Sequence, residues 1–338
     1  MVTIPQTMRA FTVPKHGDAS IIEESILPTP KPSPSELLIK VEYAGVNFID
    51  TYQRKGIYPN SSWPMVLGNE AAGEVVQLPT DPQVLEDPWY QKAGYQIGTK
   101  RARGTDAEYI ATPWTNTYTL PSTISTRVAA ASLVQGLTAL TFMTEAYEPQ
   151  PGDWILVHTA AGGLGLLFTQ IATARGAKVI GTTSTEEKAK LAKANGATEI
   201  IIYTKEDTVA RVLEITGGEG VHAVFDGVGK DTWEGNFKLI RRKGTIVSVG
   251  NASGVVPPFP PLKLVEKNVK VCRPTVFNYT ATPEENHKYI TELWDLILKG
   301  TLNIKIHKDY PFTLDGIKQT HEDIVGRSTV GKLLVKVP

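Results

Sequence analysis

The sequence predicts an α/β protein in two parts, a β-rich, barrel-like domain and a doubly wound parallel sheet. Three observations predict it. In the first third, short apolar stretches are separated by proline- and glycine-rich breaks. From residue 154 to residue 250, apolar runs alternate with helical patterns. At the first junction of that alternation stands a glycine cluster, HTAAGGLG at 158–165.

MRAFTV (8–13) and ELLIKVEYAGV (36–46) read as strands. PTPKPSPSE (28–36) is neither helix nor central strand, because proline lacks the donor that both require. NFIDTYQRKG (47–56) predicts a short helix closed by Gly56, with Asn47 and Asp50 spaced as N-cap and N3. AAGEVVQL (71–78) is a further strand, and the proline- and acid-rich 79–94 a surface loop. Residues 127–147 form a long helical pattern with a break near Gly136. Then WILVH (154–158), AKVIGTT (177–183), EIIIY (199–203), VHAVFDGV (221–228) and TIVSVG (245–250) alternate with helices over 163–176, 185–196, 206–218 and 231–244. These strands are nearly all apolar, as strands covered on both faces should be. VKVCRP (269–274) adds a last strand, 284–300 an amphipathic helix, and STVGKLLVKV (328–337) a strand returning to the first domain.

Composition narrows the function. Among 338 residues, 35 Lys and Arg balance 35 Asp and Glu, so there is no general attraction to nucleic acid or an anionic membrane. The single cysteine, Cys272, makes no internal disulfide and no cysteine-rich zinc site, and suits a reducing compartment. The six histidines never fall at H-x-H or H-x-x-x-H spacing. No signal-like apolar core opens the chain, and no run reaches the roughly 18 apolar residues of a membrane span. The expectation is a cytoplasmic protein.

In the glycine cluster the spacing is Ala160-x-Gly162-x-x-Gly165, between a strand and a helix, which is the setting of a dinucleotide site. Gly162 lets backbone approach a pyrophosphate, Gly163 adds conformational freedom, and Gly165 lets the helix pack on its strand. Free N–H groups and the helix dipole favour the phosphates. At the next strand end, where an acid would accept from a ribose 2′-OH, stand Gly181, Thr182, Thr183 and Ser184. Glu186 and Glu187 follow in the first helical turn, where acids serve the dipole. Nothing there repels a 2′-phosphate, and Lys188 reaches back toward it, so the expected cofactor is NADPH rather than NADH. The plain alternative for Lys188 is a solvated helix lysine.

AGVNFIDTYQRKGIYP (44–59), PMVLGNEAAGEV (64–75), VQGLTA (134–139), HTAAGGLG (158–165), GNASG (250–254) and GRSTVGKLL (326–334) give the chain a close likeness to a known family. From Met8 to Val337 it resembles the zeta-crystallin-like quinone oxidoreductases, zinc-independent members of the medium-chain dehydrogenase/reductase superfamily. The resemblance implies a GroES-like catalytic domain split around a Rossmann domain, here 1–133, 134–274 and 275–338. It also implies a homodimer or tetramer joined through the last Rossmann strands, from SVGNASGVVPPF to VKVCRP. Where zinc-dependent relatives carry Cys and His ligands, this chain has Asn47 and Asn69; the third ligand falls near Gln135 and the four-cysteine loop is absent, so no metal is expected.

By position, the resemblance implies Lys188, Tyr203 and Arg327 as partners of the 2′-phosphate; Ser184, from the hydroxyl run at the strand end, is counted with the cofactor residues. It implies Thr138, Gly162, Gly163, Leu164, Gly250 and Asn251 along the nicotinamide and pyrophosphate, and Gly165 of the glycine turn and Asn47 are counted as cofactor residues beside them. Residues 79–94 depart from the family's compact segment and put the rim of the substrate cleft in question.

Without a Lewis acid, a hydride acceptor has to be electron-poor already, as a quinone or a conjugated enone is. The protein then supplies orientation, dryness and a hydrogen-bond donor. Asn47, Asp50, Tyr52 and Tyr58 are the candidates, since an amide or phenol donates and a tyrosine stacks on a flat ring. Their plain alternatives are a helix-capping pair and two packed aromatics. His158 reads as packed beneath the nucleotide and Cys272 as inert. The favoured function is an NADPH:quinone oxidoreductase, with an NADPH-dependent alkenal or enone reductase as the nearest alternative. Relatives of the family are associated with AU-rich RNA, but KRAR (100–103) and RRK (241–243) are short, lack interleaved aromatics, and read first as solvated faces.

Overall fold

The computed structural model describes residues 3–58, 62–87, 96–99, 104–326 and 328–338. The chain forms two compact units, Met1–Val134 with Ile306–Pro338, and Gln135–Lys305.

The first unit opens with β1 (Thr7–Val13), β2 (Glu23–Pro28), β3 (Glu36–Val46), α1 (Phe48–Arg54), β4 (Met65–Val66), β5 (Ala71–Gln77), α2 (Pro82–Glu86), β6 (Gln96–Thr99), β7 (Tyr109–Pro113) and β8 (Thr117–Thr119), and α3 (Thr126–Thr141) begins in it. Part of the expected loop at 79–94 is helical, since Asp81 caps α2 and Pro82 suits its first turn; 88–94 lie outside the described residues. β3 is the axis of the larger sheet and pairs antiparallel with β5 and β7. Helix α1 starts where Asn47 and Asp50 cap it and ends before Gly56, whose φ of 79° suits glycine.

The second unit is a parallel sheet with helices between its strands. It contains β9 (Trp154–Val157), α4 (Gly163–Ala174), β10 (Lys178–Thr183), α5 (Glu186–Ala194), β11 (Glu199–Ile202), α6 (Thr208–Ile215), β12 (Val221–Asp226), α7 (Trp233–Leu239), β13 (Ile240–Ser248), β14 (Lys270–Cys272), α8 (Val276–Tyr279) and α9 (Pro283–Leu298). The strand order is β11-β10-β9-β12-β13-β14, so the winding reverses at β9, where such sheets bind ligands. β13 begins at Ile240, inside the expected helix 231–244, because Ile240 is buried and pairs with Val221.

The chain differs from the sequence reading at two further places. Helix α3 runs through Gly136 without a break: a Cβ at that position would lie 2.7 Å from Leu293 Cδ1, so the glycine lets α9 pack close. The second unit accordingly extends to Lys305 rather than ending at 274. Leu293 is wholly buried, and Asn303 N donates to Gln170 Oε1 at 2.6 Å, which ties the segment after α9 to α4.

The chain then re-enters the first unit with β15 (Ile306–Pro311), α10 (Leu314–Val325) and β16 (Lys332–Lys336). β16 runs antiparallel to β3 with Leu333 opposite Val46, so Lys332 arrives beside Asn47. Phe11, Leu37, Ile39, Val41, Leu333 and Val335 share one core in this unit, each worth roughly 1.5–3 kcal/mol of burial. Among the described residues no helix is long and apolar enough to cross a membrane.

Candidate cofactor and reaction sites

In the second unit, the chain leaves β9 at His158 and turns sharply at Thr159, whose φ is 57°. Ala160 N donates to Thr182 O at 3.0 Å and Gly162 N to Thr159 O at 2.9 Å. The Gly162 N–H is therefore used inside the turn. Helix α4 then begins at Gly163 with no side chain capping it. Its first three N–H groups, on Gly163, Leu164 and Gly165, have no carbonyl one turn back, and the dipole makes this end an anion site. Gly165 is required by packing, since a Cβ there would fall 2.3 Å from Thr159 O.

The end of β10 presents hydroxyls. Thr182 and Thr183 are buried and Ser184 is half-buried. Tyr203 N donates to Thr183 O at 3.1 Å and Thr204 Oγ1 to Ser184 O at 3.0 Å, which brings Ser184, Tyr203 and the start of α5 to one corner. Glu186 is exposed and paired with Lys205 at 2.8 Å. The Glu187 carboxyl is held below its ordinary range by its own backbone N–H and the Thr185 hydroxyl, so it serves the helix start. Lys188 is half-buried, and burial lowers its ammonium from the ordinary lysine range. Gly250 and Asn251 follow β13, with Gly250 N donating to Asp226 O at 3.1 Å. Thr138 lies half-buried on α3, and Arg327 lies outside the described residues, as does the basic cluster 100–103. Of the other basic cluster, Arg241 is engaged with His222.

The first unit holds a buried polar cluster at the start of α1. Asn47 Nδ2 donates to Gly45 O at 3.1 Å and to Glu70 Oε2 at 2.9 Å, while its Oδ1 accepts from Lys332 Nζ at 2.7 Å. Both amide hydrogens and the oxygen are thus committed within the protein. Lys332 Nζ also donates to Glu70 Oε2 at 2.6 Å, and Glu70 Oε1 accepts from Val134 N at 2.7 Å. Asp50 Oδ2 accepts from Asn47 N at 2.7 Å and Oδ1 from Asn69 Nδ2 at 2.5 Å. Burial pushes the Asp50 carboxyl up to about 6. Burial, with the Asp50 charge, pushes Asp106 up to about 8. Tyr52 is buried, and its ring meets that of half-buried Tyr58 edge-on with centroids 5.6 Å apart.

The structure brings Asn47, Asp50, Tyr52 and Tyr58 together around α1, and Ser184, Lys188 and Tyr203 together beyond β10. Glu70, Lys332 and Asp106 were not among the sequence candidates. The available signal was a charge inside an apolar setting, as in GNEAAG and VGKLLV.

Residues 33–122 match the alcohol dehydrogenase GroES-like domain, and residues 163–297 match the family described as zinc-binding dehydrogenase. The chain is 39% identical over 323 residues to the "Probable quinone oxidoreductase" of Schizosaccharomyces pombe, covering 96% of this chain and 95% of that protein. It is 30% identical over 338 residues to the 2-haloacrylate reductase of a Burkholderia species, covering 97% and 98%. The solved Escherichia coli quinone oxidoreductase complexed with NADPH superposes with a TM-score of 0.91 at 35% identity, covering 97% of this chain and all of that one. The fold and its two matched domains are those of a medium-chain dehydrogenase/reductase. Within that class the chain belongs to the quinone oxidoreductase family.

Zinc does not fit the residues at the expected ligand positions. Asn47 and Asn69 supply amides, and the oxygen of Asn47 already accepts from the Lys332 ammonium, which would oppose a second cation. Among the described residues no group of three or more His, Cys, Asp or Glu is placed to hold a metal.

Proposed function

We propose that this chain is an NADPH-dependent quinone oxidoreductase that uses no metal. The carrying observation is the end of β10, where hydroxyls replace the carboxylate that would select an unphosphorylated ribose, with Lys188 half-buried one turn along α5. The N–H groups of Gly163, Leu164 and Gly165 take the pyrophosphate. Ser184, Lys188 and Tyr203 meet the 2′-phosphate, and Thr138, Gly250 and Asn251 lie along the rest of the cofactor; Arg327, a further 2′-phosphate candidate, lies outside the described residues. Bound there, NADPH supplies a hydride.

The remaining work falls to the chain. Tyr52 and Tyr58 form the wall against which a flat acceptor orients, and a tyrosine hydroxyl donates to its oxygen. Asn47, with its amide committed to Gly45, Glu70 and Lys332, acts as a positioning residue. Asp50 acts likewise, accepting from Asn47 and Asn69. We place self-association as a homodimer on β14, the outer strand of its sheet, with exposed Val255, Leu262 and Val265, and, on the single cysteine, the protein in the reducing cytoplasm.

The test mixes the purified protein with phenanthrenequinone and either NADPH or NADH, and follows loss of the reduced-nicotinamide absorbance. Fast oxidation of NADPH with little of NADH is the expected result. Equal rates would defeat the 2′-phosphate assignment. The likeness to a 2-haloacrylate reductase favours a second reading, reduction of a carbon–carbon double bond beside a carbonyl or carboxyl group. An alkenal in place of the quinone tests it.

A further inference from the structure

We propose that a buried hydrogen-bond chain, Asp226–Asn236–His158–Thr182, sets the backbone of the glycine loop by holding Thr159 in the left-handed region. The purpose rests on reading that loop as the pyrophosphate site.

Thr159 has a φ of 57°, and among the described residues it is the only β-branched one at positive φ. A β-branched side chain there clashes with its own backbone, so something has to hold it. Thr159 N donates to Thr182 Oγ1 at 3.1 Å, and Thr159 Oγ1 donates to His158 O at 2.6 Å. The turn points the Thr159 carbonyl inward, where it accepts from Gly162 N at 2.9 Å and packs against Gly165. That arrangement starts α4 at Gly163 and leaves the next three N–H groups free of the turn.

The proton directions can be assigned from the buried carboxylate outward. Asp226 Oδ2 accepts from Asn236 Nδ2 at 2.6 Å. Asn236 therefore turns its oxygen to His158 Nε2, 3.0 Å away, and that nitrogen carries the hydrogen. In the neutral ring Nδ1 is then an acceptor, and it receives the Thr182 hydroxyl proton at 3.2 Å. A lone pair of Thr182 Oγ1 is left for the Thr159 N–H. Every donor points from the loop toward Asp226. The carboxylate is fixed in turn by Val228 N at 2.8 Å, Gly229 N at 3.1 Å and Thr232 Oγ1 at 2.7 Å. Asp226, Asn236, His158 and Thr182 are all buried, so water does not replace a missing link.

The experiment compares wild type, Thr182→Val, Thr159→Gly and the double variant. Valine keeps the shape of Thr182 and removes only the hydroxyl, while glycine adopts the left-handed conformation without help. Two readouts are taken: NADPH affinity by fluorescence titration, and amide hydrogen exchange of residues 158–166 in the ligand-free protein. Thr182→Val is expected to weaken NADPH binding about tenfold and speed exchange. Adding Thr159→Gly is expected to restore affinity to within about threefold of wild type and slow exchange again. A Thr182→Val protein that behaves as wild type, or a double variant no better than Thr182→Val, overturns the proposal. A wild-type protein that does not bind NADPH defeats the cofactor reading instead, and the exchange comparison then decides the loop proposal alone.

Discussion

Lys332 Nζ donates to Glu70 Oε2 at 2.6 Å with both side chains shielded completely from solvent. The same ammonium reaches Asn47 Oδ1, so one buried charge pair fixes the first residue of the α1 site. Removing one partner strands the other charge. Lys332→Met is expected to lower unfolding free energy by about 3–5 kcal/mol. Lys332→Met with Glu70→Met is expected to recover a large part of that loss, because no unpaired charge remains. Urea denaturation of the two variants checks this, and equal losses would show that the pairing is not the cause.

Arg54 Nε donates to His321 Nδ1 at 3.3 Å, which requires an unprotonated nitrogen. Burial, reinforced by the Arg54 and Lys55 charges, pushes His321 down from 6.5 to about 3. Between those values the unfolded chain binds a proton that the folded one refuses. This contribution to stability is therefore complete above 6.5 and lost as pH falls toward 3. His321→Gln keeps an acceptor without titrating. On going from pH 7 to about 4.5, wild type is expected to lose on the order of 2 kcal/mol more than this variant does. Denaturant midpoints across that range measure the difference.

Asp106 works in the opposite direction. Its carboxyl holds a proton up to about 8, while an unfolded aspartate loses it near 3.8. Between these values the folded state binds more protons, so stability falls as pH rises. Asp106→Asn removes the penalty. Relative to wild type, the variant is expected to gain roughly 2 kcal/mol or more between pH 4.5 and pH 8.5. An unchanged difference across that range would mean that Asp106 ionises freely in the folded protein.

Lys188 is expected to supply charge-assisted hydrogen bonds to the 2′-phosphate. Lys188→Ala should then raise KM for NADPH by about 10–100-fold and leave KM for NADH nearly unchanged. Steady-state kinetics with both cofactors decide it, and parallel changes would return Lys188 to the role of a helix lysine.

The sequence carries the alternation from β9 to β13 openly, because strands buried on both faces have to be apolar and the helices between them amphipathic. It also located the glycine turn and the missing acid at the end of β10, since both are local in the chain. It did not locate the end of the second unit, because the packing of Leu293 against Gly136 links residues far apart in sequence. Nor did it show that the Asn47 amide is already occupied. Asn47 and Lys332 are brought together by the register of β16 on β3, and strand register between distant segments is set by the packed core of both strands. Which polar side chains face one another in the dry interior is settled by long-range packing, because a buried charge is tolerated only where a distant partner is held against it.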